Sequence, residues 1–201
     1  MYNGRMLEIE IKAHVYDKEK LVNTLKTFAQ YQQTVERSDL YYHIPVKEIP
    51  GQKPYITARI RTEIKNINGK ENKTVYVTYK KKQLSENNIE VNIEKETEIK
   101  DENVLISLFN DAGFTLAHKK AKHVEDYITQ TVFGNATLEL CNIPPLGDFL
   151  EIEILSESDE PLKIQNIKEE LKKLLSRCEI PESCIEPKYY TQMLSDLEGK
   201  N

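Results

Sequence analysis

The sequence lacks an apolar stretch long enough to span a bilayer, and charged residues make up 30% of its 201 positions. Its first five residues also lack the apolar core of a signal peptide, so we expect a cytoplasmic protein with no membrane partner. The three cysteines, Cys141, Cys178 and Cys184, are an odd number without the paired spacing of a zinc site. We expect them to be reduced thiols.

The sequence has no excess of basic residues either, since 28 lysines and arginines stand against 33 acidic residues, giving a net charge of −5. General nucleic-acid binders usually show a basic excess, so we expect no nucleic-acid partner. Lysines nevertheless cluster at 80–82 and at 119–122. Local basic clusters in an acidic protein favour a small anionic ligand, although each cluster would also fit a solvated strand end.

Common catalytic motifs are absent as well. The four histidines, His14, His43, His118 and His123, show no metalloprotease spacing, and the chain contains no glycine-rich phosphate loop or nucleophile elbow. It also shows no internal repeat or linker. Its length suits one domain with a sizeable core, so we predict a single domain spanning 1–201.

The strongest positive signal is the strict alternation of apolar and charged residues over 7–12. Leu7, Ile9 and Ile11 point to one face of a predicted strand, and Glu8, Glu10 and Lys12 point to the other. Two carboxylates and an ammonium spaced about 7 Å apart along a strand could hold a metal ion beside a phosphate. The alternative is that this face meets water, as half of many antiparallel strands does.

Similar alternation recurs along the chain and predicts seven further antiparallel strands. The predicted strands cover 6–15, 34–44, 55–64, 74–82, 90–99, 115–128, 130–141 and 149–155. Apolar stripes at helical spacing predict helices after Asp17 to about residue 29, after Asp101, and over 161–176, with a short helix or turns within 181–197. Asp17 and Asp101 suit N-caps, and Gly113 suits the position after a helix end. Prolines and Gly51 predict a loop over 45–54, and an Asn-Gly pair predicts a hairpin turn within 66–72.

These elements predict an α+β fold, an eight-stranded antiparallel closed β-barrel with helices packed outside. Eight strands can close around one small ligand. If the helices cover the apolar faces, the charged faces must meet inside and form a polar tunnel. The predicted inward cations are Lys12, Arg59, Arg61, Lys80, Lys82, Lys120 and Lys122. The predicted inward anions are Glu8, Glu10, Glu94, Glu96, Glu98, Glu139, Glu151 and Glu153.

So many buried charges require partners, because an uncompensated buried charge is costly. Arginine and lysine bind phosphate oxygens, whereas glutamates would repel a phosphate unless a divalent cation lay between them. Mg²⁺ or Mn²⁺ suits an oxygen-rich site of this kind. The charge pattern therefore predicts a polyphosphate bound with a metal.

These residues resemble the signature of the CYTH superfamily, also called triphosphate tunnel metalloenzymes. The segment Glu8-Ile9-Glu10-Ile11-Lys12 matches its ExExK motif. The resemblance continues in order through Arg59-Ile60-Arg61, Thr78-Tyr79-Lys80, Lys120-Ala121-Lys122 and the stretch 146–153. The stretch 186–194 is similar to the tail of the class IV adenylyl cyclase branch, though this part is less specific.

The resemblance implies roles for twelve residues. Glu8, Glu10 and Lys12 would be catalytic, with metal ligands drawn from Glu8, Glu10, Glu139, Glu151 and Glu153. The triphosphate would be bound by Lys12, Arg59, Arg61, Lys80, Lys120 and Lys122, with Lys188 closing over it. The metal would be Mg²⁺ or Mn²⁺.

The activity implied first is a class IV adenylyl cyclase that converts ATP to cyclic AMP and pyrophosphate. A triphosphatase acting on inorganic triphosphate, thiamine triphosphate or a nucleotide is the alternative within the same fold. A polyphosphate-binding module without turnover is a third hypothesis. A homodimer remains open.

Two positions depart from the family pattern. Lys122 stands where an arginine is typical, which keeps the charge but loses the bidentate fork. Cys141 stands where the family usually has an acidic residue, and Glu139 on the same predicted face could compensate.

Overall fold

The computed structural model describes residues 7–43, 56–67, 70–83 and 90–198 of the chain. Its strands are β1 (Leu7–Val15), β2 (Gln30–His43), β3 (Ile56–Ile67), β4 (Lys70–Gln83), β5 (Glu90–Ile99), β6 (Thr115–Thr131), β7 (Gly134–Ile143) and β8 (Gly147–Ser156). Its helices are α1 (Lys18–Leu25), α2 (Glu102–Asp111), α3 (Pro161–Arg177) and α4 (Tyr190–Glu198), with a 3₁₀ turn at Glu182–Cys184. The predicted α+β fold with eight antiparallel strands is confirmed. The predicted loop over 45–54 and the Asn-Gly turn lie outside the described residues.

The strands follow the order β1-β5-β4-β3-β2-β6-β7-β8, and β8 in turn pairs with β1. Residues directly opposed in antiparallel strands point to the same face of the sheet. The register sets Glu10 opposite Glu153 and Lys12 opposite Glu151. It also sets Glu139 of β7 opposite Glu151 of β8. We call the face that carries these residues the charged face.

The other face of the sheet is apolar and is covered by three helices. Leu7, Ile9 and Ile11 of β1 are at most 2% exposed and belong to a large apolar cluster. Leu21 and Leu25 of α1 join this cluster, as do Ile167, Leu171, Leu174 and Leu175 of α3. Around α2, Phe109 packs with Tyr42, Ala58, Ile60 and Val75 in a second cluster. The prediction that helices cover the apolar faces is confirmed.

Local signals at the helix ends are also confirmed. The carboxylate of Asp17 accepts a hydrogen bond from the backbone N–H of Lys20 at 3.0 Å. That of Asp101 accepts one from Asn103 at 2.9 Å. Gly113 adopts a φ of +80° just after α2, a conformation that favours glycine. These caps satisfy backbone groups that a helix end leaves without partners.

Two predicted boundaries are wrong. Helix α1 ends at Leu25 rather than near residue 29. The turn between β6 and β7 lies at Val132 and Phe133 rather than at residue 129. Thr131 holds this turn, because its hydroxyl accepts from the Phe133 N–H and donates to the Gly134 carbonyl.

The spacing of Val104, Leu105, Leu108 and Phe109 predicts one buried stripe along α2, and this prediction is wrong for two of the four residues. Val104 and Leu108 are 67% and 58% exposed, while Leu105 and Phe109 face the core. None of the helices in the described ranges is long and apolar enough to cross a membrane.

The charged face is not polar throughout. An apolar cluster lies on it, formed by Val124, Cys141, Ile143, Phe149 and Tyr190, with Leu146 and Met193 packed alongside. Tyr190 and Met193 belong to α4, so the C-terminal helix packs on this face while α1, α2 and α3 pack on the other. The prediction of a wholly polar lining is therefore wrong at this position.

Candidate functional site

The centre of the charged face is a lysine surrounded by acidic side chains. The ammonium of Lys122 lies 2.8 Å from a carboxylate oxygen of Glu139 and 2.7 Å from one of Glu151. It also lies 3.4 Å from the sulfur of Cys141. Burial lowers the pKa of Lys122, but the adjacent carboxylates outweigh burial and hold it well above its ordinary value. Lys122 is therefore a permanent cation at neutral pH.

Arg37 of β2 extends this cluster. Its guanidinium donates to Glu63 and to Glu139, each at 2.6 Å, and approaches Asp126 at 4.0 Å. The two contacts are charge-assisted and the arginine is only 9% exposed, so the group is held rigidly. Glu139 thus binds two cations at once. Burial opposes ionisation of Glu139, yet the two cations keep its pKa well below its ordinary value.

A second cluster forms around Asp39. Arg61 donates to both carboxylate oxygens of Asp39, at 2.8 and 3.0 Å, in a bidentate pair. The ammonium of Lys120 lies 3.1 Å from the same carboxylate. Despite burial, these cations hold the pKa of Asp39 well below its ordinary value. Two cations share one carboxylate here, which leaves one excess positive charge within this triad.

Arg59 stands beside this triad on β3. Its guanidinium donates to the hydroxyl of Thr78 and to Glu96, and Thr78 itself donates to Glu96 at 2.6 Å. Lys80 pairs through its backbone with Glu94, but both side chains lie outside the described residues, as does that of Lys82. Glu98 is exposed.

The segment that precedes α4, residues 186–189, contacts Lys12 of β1 at one side of this site. The ammonium of Lys12 donates to the backbone carbonyl of Lys188, and the N–H of Glu186 donates to the carbonyl of Lys12 at 2.8 Å. The side chain of Lys188 is instead bound to Asp196 at 2.8 Å and is half-exposed. In this arrangement Lys188 contributes its carbonyl, rather than its ammonium, to the site.

Tyr190 follows immediately and lies between two lysines. The ammonium of Lys12 is 4.4 Å from the centre of its ring, and that of Lys120 is 5.1 Å away. Both distances fall within the range of cation–π attraction. The ring therefore brings Lys12 of the first motif next to Lys120 of the fourth, although they are 108 residues apart.

The CYTH domain family model matches residues 6–190 of the sequence. The chain belongs to the CYTH family. No curated protein matches it significantly.

The solved structures similar to this CYTH protein span nearly its whole length. The PH1819 protein of Pyrococcus horikoshii OT3 is 25% identical, with a TM-score of 0.74, over 94% of this chain and 99% of the other. A candidate adenylate cyclase of Vibrio parahaemolyticus is 17% identical, with a TM-score of 0.70, over 94% and 98%. The Hippeastrum protein HpAC1, a candidate adenylyl cyclase with a dominant triphosphatase activity, is 17% identical, with a TM-score of 0.58, over 96% of each chain. The last two likenesses show the fold alone.

Sequence reasoning missed four charged residues of this CYTH site: Arg37, Asp39, Glu63 and Asp126. A signal was available in the second strand, where Leu40 and Tyr42 alternate with Asp39 and Tyr41. Leu40 and Tyr42 pack in the cluster around α2, so the intervening residues must point to the charged face.

The donor set of the CYTH site suits a hard divalent cation only in part. Ligand atoms of Glu139, Cys141 and Glu151 lie within 4.8 Å of one another. Two carboxylates suit Mg²⁺ or Mn²⁺, but burial and the charge of Glu151 raise the pKa of Cys141, leaving a neutral thiol that is a poor ligand for both. The ammonium of Lys122 also lies among these atoms, and a divalent ion there would be repelled by it.

A harder set of donors lies beside this cluster. Glu10 of β1 lies directly opposite Glu153 of β8, and Glu8, two residues before Glu10, lies on the same face of β1. All three are partly buried, and all contribute carboxylate oxygens. Together with Glu151 they offer the type of ligand atom that Mg²⁺ and Mn²⁺ prefer, although among the described residues only the atoms of Glu139, Cys141 and Glu151 lie within 4.8 Å of one another.

Proposed function

We propose that this CYTH protein binds a nucleoside triphosphate with Mg²⁺ or Mn²⁺ within a closed barrel and, as a class IV-type adenylyl cyclase, converts ATP to cyclic AMP and pyrophosphate. The observation that supports this most is the convergence of four cations, Lys12, Arg59, Arg61 and Lys120, beside a separate group of carboxylates. Cations bind the phosphate chain, and carboxylates hold the metal that neutralises it.

The charge balance supports an anionic ligand at the cationic end. Among the described residues, Asp39 is the one carboxylate paired with Arg61 and Lys120, and Lys12 forms no ion pair with a carboxylate. Partly buried cations with too few counterions favour binding of a polyanion. Lys80, Lys122 and Lys188 remain proposed phosphate ligands. Lys122 and Lys188 would have to release their present carboxylate partners.

The carboxylates occupy the other side of the proposed site. Glu8, Glu10, Glu151 and Glu153 would hold the metal, and Glu139 would serve mainly to hold Lys122 and Arg37. A bound divalent ion supplies charge neutralisation on the phosphates and lowers the pKa of a coordinated hydroxyl. Carboxylates fixed on neighbouring strands orient such a site without reorganisation.

In the cyclase reaction, the 3′-hydroxyl attacks the α-phosphorus and pyrophosphate leaves. Lys12, Lys120 and the two arginines would bind the β- and γ-phosphates and stabilise the charge that develops on the leaving group. Their ion pairs with Asp39 and Glu96 would keep Arg61, Lys120 and Arg59 in position before ligand arrives. The side chains therefore act by positioning and by electrostatic stabilisation.

A triphosphatase is the second candidate. The groups that support the proposal recognise a triphosphate rather than a nucleobase, and inorganic triphosphate and thiamine triphosphate offer the same phosphates. The two reactions differ in whether water or the ribose hydroxyl occupies the attacking position.

Product analysis tests the proposal. Purified protein is incubated with ATP and Mn²⁺, and the products are separated chromatographically, with Glu10→Gln as the matched control. Cyclic AMP and pyrophosphate, absent with the variant, would support the cyclase. Orthophosphate would favour the triphosphatase, and binding of ATP without any product would leave only a binding module. The absence of both product formation and ATP binding would overturn the proposal.

A further inference from the structure

Tyr190 is the first residue of α4, a position that is usually solvated, yet only 7% of it is exposed. Its ring packs edge-on against Phe149, with centroids 5.0 Å apart at an angle of 78°. It joins the apolar cluster on the charged face with Val124 and Cys141. Burial of the ring accounts for its position, but not for the choice of tyrosine over phenylalanine.

The hydroxyl of Tyr190 is fully buried and has no hydrogen-bond partner among the described residues. A buried hydroxyl without a partner loses its contacts with water and gains nothing in return. Buried polar groups in folded proteins nearly always have a partner, in the protein or in what it binds. A bound ligand would therefore supply the missing hydrogen-bond partner of the Tyr190 hydroxyl.

The surroundings of this hydroxyl define what that ligand must be. Two ammonium groups, those of Lys12 and Lys120, lie within 5.1 Å of the centre of the ring. The carboxylate of Glu151 also lies near this hydroxyl, in a contact that does not meet the geometry of a hydrogen bond. A tyrosine phenol, with an ordinary pKa of about 10, keeps its proton at neutral pH and acts as a hydrogen-bond donor. A donor flanked by two ammonium groups suits an anionic oxygen.

We infer that the Tyr190 hydroxyl donates a hydrogen bond to a phosphate oxygen of the bound triphosphate, which is held at the same time by Lys12 and Lys120. This inference rests on the proposed function. It makes Tyr190 a ligand-binding residue contributed by the C-terminal helix. The ring also orders the two lysines before the ligand arrives.

The test compares Tyr190→Phe with Tyr79→Phe as a matched control. Tyr190→Phe removes only the hydroxyl, and Tyr79 is 38% exposed on β4. Affinity for inorganic triphosphate with Mn²⁺ is measured by calorimetry, together with the melting temperature of each ligand-free protein. We expect Tyr190→Phe to weaken triphosphate binding about tenfold or more, as loss of a hydrogen bond to a charged group does. The control variant should bind like the wild type.

The melting temperature separates a binding role from a structural one. Removing an unpaired buried hydroxyl should leave the ligand-free protein as stable as the wild type or more stable. Unchanged triphosphate affinity in Tyr190→Phe, with wild-type protein that does bind, would overturn the inference and leave the proposed function standing. A marked loss of stability without ligand would also overturn it, because the hydroxyl would then have a structural partner. Failure of the wild type to bind triphosphate would overturn both.

Discussion

Two buried aspartates on the charged face illustrate how neighbours decide the behaviour of a single residue. Asp39 accepts hydrogen bonds from Arg61 and lies beside Lys120, and its pKa is well below the ordinary value of 3.8. Asp126 receives one hydrogen bond from Gln33, while its other oxygen has no partner among the described residues. Burial and the charge of Glu139 raise its pKa above 3.8.

These opposite shifts predict opposite effects of the same substitution. Asp39→Asn should destabilise the protein by about 3–5 kcal/mol at pH 7, because Arg61 and Lys120 would lose their carboxylate. Asp126→Asn should stabilise it by about 1 kcal/mol, because an uncharged amide is cheaper to bury. Chemical denaturation at pH 7 measures both changes in the free energy of unfolding. A loss of stability in Asp126→Asn would show that its weak approach to Arg37 matters more than its burial.

The sign of the pH dependence follows from the same pKa directions. A depressed pKa means that Asp39 contributes stability above about pH 3.8, and this contribution is lost as the pH falls through its lower folded value. A raised pKa means that Asp126 costs stability at neutral pH, and this cost disappears below about pH 3.8. The gain from Asp126→Asn should therefore vanish in acid.

Cys141 stands where the resemblance to the family predicts an acidic residue, and its sulfur lies within the site. It is 3.5 Å from a carboxylate oxygen of Glu151 and 3.4 Å from the ammonium of Lys122. Its side chain thus points to the charged face, where it also packs with Tyr190 and Met193 of α4 in the apolar cluster.

We predict that Cys141→Asp adds a hard ligand and raises turnover with Mg²⁺ relative to Mn²⁺. A carboxylate is preferred by both ions, but Mg²⁺ tolerates a thiol less well. Turnover with each metal is measured alongside the melting temperature, with Cys178→Ser as the control at a buried cysteine outside the site. Lower stability without any gain in turnover would indicate that the ammonium of Lys122 already excludes a metal from this position.

At the scale of the element, helix α2 has a buried and an exposed side, and both sides carry apolar residues. The sequence alone does not show which side is buried. Phe109 is buried, with its ring 5.1 Å from that of Tyr42 and 4.5 Å from that of Phe114. Val104 and Leu108 lie on the exposed side of the same helix. Only packing against β2 and β3 decides which apolar residues are used.

Substitutions on the two sides of α2 should differ accordingly. Phe109→Ala should cost about 3–5 kcal/mol of stability, because it leaves a cavity between the helix and the sheet. Leu108→Gln should change stability by no more than about 0.5 kcal/mol, as surface substitutions usually do. Urea denaturation of both variants tests this. Comparable losses would mean that another surface covers Leu108.

At the scale of the whole molecule, the ion pairs of the charged face join several strands, and the pair of Arg37 with Glu139 joins two that are distant in sequence. Arg37 connects β2 to β3 and β7, and Lys122 connects β6 to β7 and β8. A ligand that bound these cations would contact several strands at once. Its binding should therefore stabilise the fold as a unit.

We expect inorganic triphosphate with Mn²⁺ to raise the melting temperature, since a ligand that binds only the folded state stabilises it by mass action. At a hundredfold excess over the dissociation constant the gain is about 2.7 kcal/mol. Sulfate at equal ionic strength is the control for general anion effects. A melting temperature that does not respond to millimolar triphosphate with metal would contradict the proposed ligand class.

The sequence by itself determined the elements and the two faces of the sheet. Alternation over Leu7–Val15 placed Ile9 and Ile11 against the helices, and Asp17 and Asp101 marked the helix starts. These signals are local, because side-chain direction along a strand and the capping of a helix depend on a few neighbouring residues. The candidate residues of β1, β7 and β8 were likewise predictable, because their motifs lie within single strands. That the chain forms one domain remains a prediction.

The tertiary structure alone decided which charges meet. Strand order and register placed Lys122 of β6 between Glu139 of β7 and Glu151 of β8, and they paired Asp39 of β2 with Arg61 of β3 and Lys120 of β6. The segment after α3 places Tyr190 between Lys12 and Lys120, and no local sequence pattern predicts this contact. Contacts between residues so far apart in sequence depend on strand order, register and packing, which are properties of the whole fold rather than of any single segment.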